Sequence, residues 1–226
     1  MPIHEIIEPF TVLWWKGIVS CIVFISLIIL LLYDKSIEFK QNIIKYFAYI
    51  AIFVYISTII YSFYLGTWTI KDFLPFHLCN ISYFICILLL LFKKKWMYEW
   101  SLLLGMPSAF HALITPELIW GSTNWYLFEY YFMHGSLILV PLYLMILMKL
   151  KLRSFSWLKT FFRVQVVFIS VFIFNLLFDT NYMFLMFKPL VNNPLIIGDW
   201  PDYILIIQFI GFLHISLIYK LAPKHS

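Results

Sequence analysis

Long apolar runs broken by short polar stretches set the pattern of this chain. Seven of them, near residues 17–33, 43–65, 74–92, 96–113, 126–148, 158–178 and 202–219, approach the roughly 20 residues that a helix needs to cross a bilayer. The expected fold is an all-α membrane protein: a seven-transmembrane helix bundle making one polytopic domain over residues 1–226. Glu99, Gly105 and Pro107 interrupt the fourth run. A kink is expected near Pro107, because proline removes a helical N–H and crowds the preceding turn. The first run lacks a basic start and a small-residue cleavage site, so it reads as a span and not as a cleaved leader. Short loops leave no room for a separate soluble domain. The longest, 179–201, has Pro and Asn residues that oppose a continuous helix. Its apolar content places it in, or re-entering, the outer interface.

Composition supports this pattern. Of the 226 residues, 63% are hydrophobic and 12% charged, against about 45–50% and about 25% in ordinary soluble domains. Mean hydropathy is +0.91. These values argue against a soluble globule, a disordered or fibrous chain, and a nucleic-acid binder. The net charge of +5 is not a nucleic-acid signal, since no basic stretch is long enough to form a groove. Its placement gives orientation instead. Lys35, Lys40 and Lys45, then Lys93, Lys94 and Lys95, then Lys149, Lys151, Arg153, Lys159 and Arg163, and finally Lys220 and Lys224 fall on one side. Only Lys16, Lys71 and Lys188 fall on the other. By the positive-inside rule the N-terminus is outside and the C-terminus cytoplasmic. The 24 Phe, 15 Tyr and 9 Trp suit interfacial aromatic belts. Three cysteines without a CxxC pair predict neither a disulfide framework nor structural zinc.

Polar side chains inside a bilayer are costly and need a reason. Counted by helical rise from the outer ends of their spans, Cys79 lies about 10 Å in, His134 about 12 Å, His111 about 6 Å and Glu129 about 4 Å. His77 and Asn80 flank Cys79. Asn175 and Asp179 share one face at the outer end of the sixth run. The inner half offers little to match, apart from Gln165 and His214. One outward-opening polar site is the economical explanation. Bland readings stand beside it: Asn175 and Asp179 as a cap and cross-bundle bonds, His111 as a solvated end residue, Glu129 as hydrated near the surface, and Cys21 and Cys86 as small apolar fillers. Cys79 rises above that background because of its company, His77 two residues before it and His134 at the same depth. A thiol and an imidazole within reach make a nucleophile and its base, and an Asn or Asp side chain would orient the ring. Pro75 fits the first turn of the third span with Asp72 as its cap, so the positive end of that helix would face the outer surface.

Leu74-Pro75-Phe76-His77-Leu78-Cys79-Asn80-Ile81-Ser82 resembles the LPLHLCD-I-S element of the YwaF-like bacterial membrane proteins, relatives of an animal transmembrane family reported as intramembrane lipid acyltransferases. Glu99 and Gly105, the stretch 112–118 (ALITPEL), Phe132-Met133-His134-Gly135, Asn181-Tyr182-Met183-Phe184-Leu185, Lys188-Pro189 and Trp200-Pro201-Asp202-Tyr203 resemble further elements in the same order. Together they cover about residues 70–205. The resemblance implies a heptahelical protein of the bacterial plasma membrane and cysteine-dependent acyl transfer between lipids. It implies Cys79 as acyl-accepting nucleophile and His134 as its base, and it adds Asn181, Tyr182 and Lys188 to the pocket. Two positions depart from the pattern. Asn80 stands where an acidic residue is usual, which sends the orienting role to Asp179, and Thr180 stands where Gly or Ala is usual.

The expected function is transfer of a fatty acyl chain from a phospholipid to a lysolipid or similar acceptor through a Cys79 thioester. The expected partners are membrane phospholipids and lysolipids, with no nucleic acid, obligate protein partner, cofactor or metal. Two alternatives remain. One is a zinc-dependent lipid hydrolase with His77, His111, His134 and Asp179 as ligands, although none has HExxH spacing. The other is a heptahelical transporter or sensor that does no chemistry. Against a retinal-type sensor, the seventh run has no lysine within its apolar core.

Overall fold

The computed structural model describes residues 4–224, which are almost wholly helical. Their helices are α1 (Val12–Leu32), α2 (Ile37–Tyr64), α3 (Leu78–Phe92), α4 (Lys95–Trp100), α5 (Met106–Ile114), α6 (Asn124–Ile146), α7 (Ser156–Phe178) and α8 (Asp202–Leu221). A π-helical turn, Ser101–Gly105, joins α4 to α5 in one continuous rod, so the described residues form seven rods. Five of these, α1, α2, α6, α7 and α8, are long and apolar enough to span a membrane. A two-residue antiparallel pair, β1 (Glu5–Ile6) with β2 (Glu117–Leu118), closes one end of the bundle.

Where a kink is expected near Pro107, the rod carries a π-helical turn at Ser101–Gly105, just before the proline. Pro107 is the second residue of α5 and follows directly on the π turn, so the bond its missing N–H would have made falls where the helical ladder already changes register. The π turn absorbs the misfit, with the Met106 N–H reaching back five residues to the Ser101 carbonyl. Glu99 on α4, almost fully buried, is held by a two-pronged ion pair from Arg153 at 2.6 and 2.8 Å. A charge can therefore interrupt an apolar run at no net loss of pairing.

The bundle is built around α6. Of its most apolar window 61% is buried, against 17% for α1 and α7 and 6% for α8, so the outer rods turn most of their apolar surface outward. Exposed Leu30, Phe53, Ile60, Phe162, Ile169, Leu205 and Phe209 are what lipid contact requires and water would not tolerate. Small residues let α1 and α6 approach closely. A side chain added at Gly17 would run into the Tyr131 ring, and one at Gly135 would press on Cys21 Sγ at 3.3 Å. Inside, Leu103, Leu137, Leu139, Val140 and Tyr143 are fully buried. Polar groups among them are paired across rods, as the Trp100 indole is with Ser82 Oγ (3.0 Å) and the Cys86 thiol with Ser101 Oγ (3.2 Å).

One boundary matters for function. The third rod begins at Leu78 and not at residue 74, so residues 72–77 are irregular. Asp72 does not cap it, because its carboxylate accepts from the Thr69 hydroxyl at 2.7 Å. His77 occupies the cap position without a capping side-chain bond. Pro75 favours extended backbone before it and blocks an earlier helix start.

Candidate functional site

A cavity of about 230 Å³ sits at the end of the bundle where α3 and α6 begin and α5 finishes. Three helices and two loops supply its walls. From α3 come Cys79 and Asn80, preceded by His77; from α5, His111; from α6, Glu129, Tyr130 and His134. The 115–121 connection adds Thr115 and Glu117, and the long 179–201 segment lies across as a strap, contributing Phe184, Val191 and Asn193.

Cys79 is the second residue of α3, half-buried, and its thiol donates weakly to Ser108 Oγ at 3.8 Å. Ser108 in turn donates to the Gly105 carbonyl (2.8 Å). The depth of about 10 Å counted by helical rise is superseded: the chain reaches Cys79 through irregular backbone, and the cysteine sits in the first helical turn. In that position it lies beside the uncapped N–H groups of α3, where the helix carries its positive end.

His134 is buried at 3% exposure, and its ring is fixed on two sides. Its Nδ1–H donates to the Tyr130 carbonyl at 2.7 Å, and the Tyr130 ring lies 4.2 Å away, centroid to centroid. Because that bond uses the Nδ1 proton, Nε2 of the neutral ring carries the lone pair. The orienting acceptor is thus a backbone carbonyl one turn back. Asp179, assigned that role by sequence, is instead fully exposed in left-handed conformation at the end of α7, ion-paired to Lys71 at 2.7 Å. Lys71 holds its carboxyl below the usual range. Cys79 and His134 line the same cavity, and no hydrogen bond joins them.

The other candidates read from the sequence divide into two groups. His77, Asn80, His111 and Glu129 do line the cavity. Glu129 is not a hydrated end residue: it is 4% exposed on the inward face of α6, and among the described residues no hydrogen bond reaches its carboxylate. His111 bonds His214 of α8 (Nε2 to Nε2, 3.3 Å), and His77 Nδ1 accepts the Met183 N–H at 3.3 Å. Asn175, Asn181, Tyr182 and Lys188 do not line the cavity; they hold the strap from behind. Buried Asn175 bonds the Tyr182 carbonyl (2.9 Å), the Tyr182 N–H (3.0 Å) and the Thr180 hydroxyl (2.6 Å). That last bond gives Thr180 a use that Gly or Ala could not serve. Tyr182 donates to the Ile70 carbonyl and accepts the Leu74 N–H, tying the strap to the segment before α3. Asn181 staples Met186 and Phe187, and Lys188 pairs with Asp199 at 3.0 Å.

Sequence reasoning missed Glu117, Ser108 and the Tyr130 carbonyl. Glu117 ties three segments at the rim. It accepts from His4 Nδ1 (2.9 Å) and from the Val191 N–H (3.2 Å), and β2 holds it against β1. Burial pushes its pKa up, but the hydrogen bonds from His4 and the Val191 and Leu190 N–H groups outweigh that and leave it lowered. The same Glu117 bond raises His4 against its own desolvation. A Glu in a loop carries no periodic signal; only its position beyond His111, just past the end of an apolar run, hinted at a rim.

Among the described residues no group of three or more His, Cys, Asp or Glu side chains is placed to hold a metal. The zinc reading also loses Asp179 to Lys71.

These features define a multi-pass helical membrane protein with a thiol, an imidazole and a carboxylate, the last without a hydrogen-bond partner among the described residues, around one cavity at the bundle's end. The chain belongs to the TMEM164 family, whose model matches residues 6–219. No curated protein and no solved structure matches it.

Proposed function

We propose that the protein is a seven-span membrane acyltransferase of the YwaF-like bacterial branch, with its N-terminus outside, C-terminus cytoplasmic and reaction cavity in the outer half of the bilayer. It moves a fatty acyl chain from a phospholipid to a lysolipid or similar acceptor. The observation that carries this reading is the convergence of the Cys79 thiol, the uncapped first turn of α3 and the lone-pair nitrogen of His134 on one cavity.

The chemistry follows from those three groups. At rest the thiol proton is held by Ser108, and the Cys79–His134 hydrogen bond forms only when substrate fills the cavity. His134 Nε2 takes the proton as Sγ attacks the ester carbonyl. The resulting oxyanion meets the free N–H groups at the start of α3. Collapse breaks the ester C–O bond, and the departing lysolipid oxygen takes the proton back from His134. The acceptor hydroxyl then attacks the thioester by the reverse route, regenerating the thiol. Glu129 offers the cavity a carboxylate that the cationic part of a lipid headgroup would satisfy.

Two features favour chemistry over transport. The α6 lining residues stop at His134, and one turn further Leu137, Leu139 and Val140 are fully buried, so the cavity ends blind against packed core. The strap restricts access of bulk water, which protects a thioester from hydrolysis.

Intact right-side-out membrane vesicles supplied with labelled lysolipid on the outside should convert it to diacyl lipid, using resident phospholipid as donor. Conversion only after the vesicles are opened would overturn the orientation. Label recovered unchanged in both preparations would overturn the activity.

A further inference from the structure

A second cleft, also about 230 Å³, lies beside the reaction cavity between α5, α8 and the strap, touching the start of α3. Leu104, Pro107, Leu195, Ile207 and Ile210 make most of it apolar. Its polar residues are gathered on one side: Ser108, His111, Asn193 and His214. That side is the seam with the first cavity, since His111, Asn193 and Ile196 line both. Ser108 is also the partner of the Cys79 thiol. The reactive sulfur is therefore one hydroxyl away from the cleft. At the other side Ile207, Ile210 and Gly211 are partly exposed, next to the outward-facing Leu205 and Phe209 of α8. An apolar slot with one end at a thiol and the other at the lipid-facing surface has the form of a chain-binding site.

We infer that this cleft holds the fatty acyl chain of the donor lipid, which enters from the bilayer between α5 and α8 and presents its ester carbonyl to Cys79 at the Ser108–His111 seam. The polar cavity then takes the glycerol and headgroup end. This inference rests on the acyltransferase reading and adds to it the binding site for the chain. Apolar burial of the chain supplies affinity without placing any polar group in lipid. The paired His111 and His214 rings form the partition that ends the chain site. His214 Nδ1 is occupied by the Ile210 carbonyl at 2.8 Å, so its Nε2 accepts from His111.

Gly211 provides the test. It lines the cleft in mid-helix, and a β-carbon added there meets no heavy atom within 4 Å. A larger side chain therefore fills the slot without straining α8, and any residue other than proline improves on glycine as a helix former. Gly211→Phe and Gly211→Leu should lower transfer of oleoyl chains about tenfold or more while leaving octanoyl transfer within about threefold, and Gly211→Ala should match the wild type. Oleoyl and octanoyl transfer in the wild-type ratio in Gly211→Phe would overturn the inference. A second readout is independent of catalysis. A phospholipid carrying a photoreactive diazirine in its acyl chain should label Ile207, Ile210 and Ser108 in the wild type and lose that labelling in Gly211→Phe. Labelling confined to Leu205 and Phe209, or unchanged by Gly211→Phe, would overturn the chain site. A wild type that is labelled in the cleft yet transfers no acyl group would overturn the acyltransferase reading alone.

Discussion

Cys79→Ala is expected to lower acyl transfer by at least about 10³-fold, since removing a covalent nucleophile leaves only binding and electrostatic contributions. The substitution deletes one sulfur atom from a half-buried position in the first turn of α3. Its sole side-chain bond, the 3.8 Å contact to Ser108, is weak. The thermal midpoint in detergent should therefore stay near the wild-type value, which separates lost chemistry from lost fold. Cys86→Ala is the matched control. That thiol is buried against Ser101 within the core, outside the cavity, and its removal should leave transfer in place. Transfer surviving in purified Cys79→Ala would remove Cys79 from the mechanism.

His134→Ala should lower the turnover rate by about 10²–10⁴-fold, the usual contribution of a positioned general base. The loss should fall on kcat more than on KM, because the ring touches the reacting proton and contributes little to holding an acyl chain. Both half-reactions need it: one to draw the thiol proton, the other to draw the acceptor's. Single-turnover assays should therefore show slow acyl-enzyme formation as well as slow release. The ring's fixation by the Tyr130 carbonyl makes its tautomer a property of the backbone. Substitution of Asp179 should not reproduce the defect. Transfer by His134→Ala at close to the wild-type rate would contradict its role.

Much of the architecture was legible because hydrophobic runs report helices that must be satisfied inside lipid. The runs at 126–148, 158–178 and 202–219 differ from α6, α7 and α8 by two residues or fewer at each end. The error at the start of α3 came from Leu74-Pro75-Phe76, whose apolarity continues the run although Pro75 and the turn beyond it keep the backbone irregular. Length measures depth but not azimuth. Asn175 and Glu129 both read as polar groups near the outer end of a run, yet one faces the strap and the other the cavity. Orientation about the helix axis depends on neighbours more distant in sequence, such as Tyr182 for Asn175. Ser108 and Glu117 were invisible for the same reason. Their roles come from Cys79 on another rod and from His4 and Val191 on other segments. The family match over residues 6–219 extends well beyond the stretch, about 70–205, that carries the recognisable motifs.

The central claim is a covalent acyl-enzyme on Cys79, and it can be weighed directly. Purified protein incubated briefly with a phospholipid bearing a labelled acyl chain, quenched in acid and examined by intact-mass and peptide mass spectrometry should carry one acyl group on the peptide containing Cys79. Neutral hydroxylamine should release that group, and Cys79→Ala should never acquire it. Transfer of the label to lysolipid with Cys79 unmodified at every time point, or an acyl group resident on another side chain, would contradict the account.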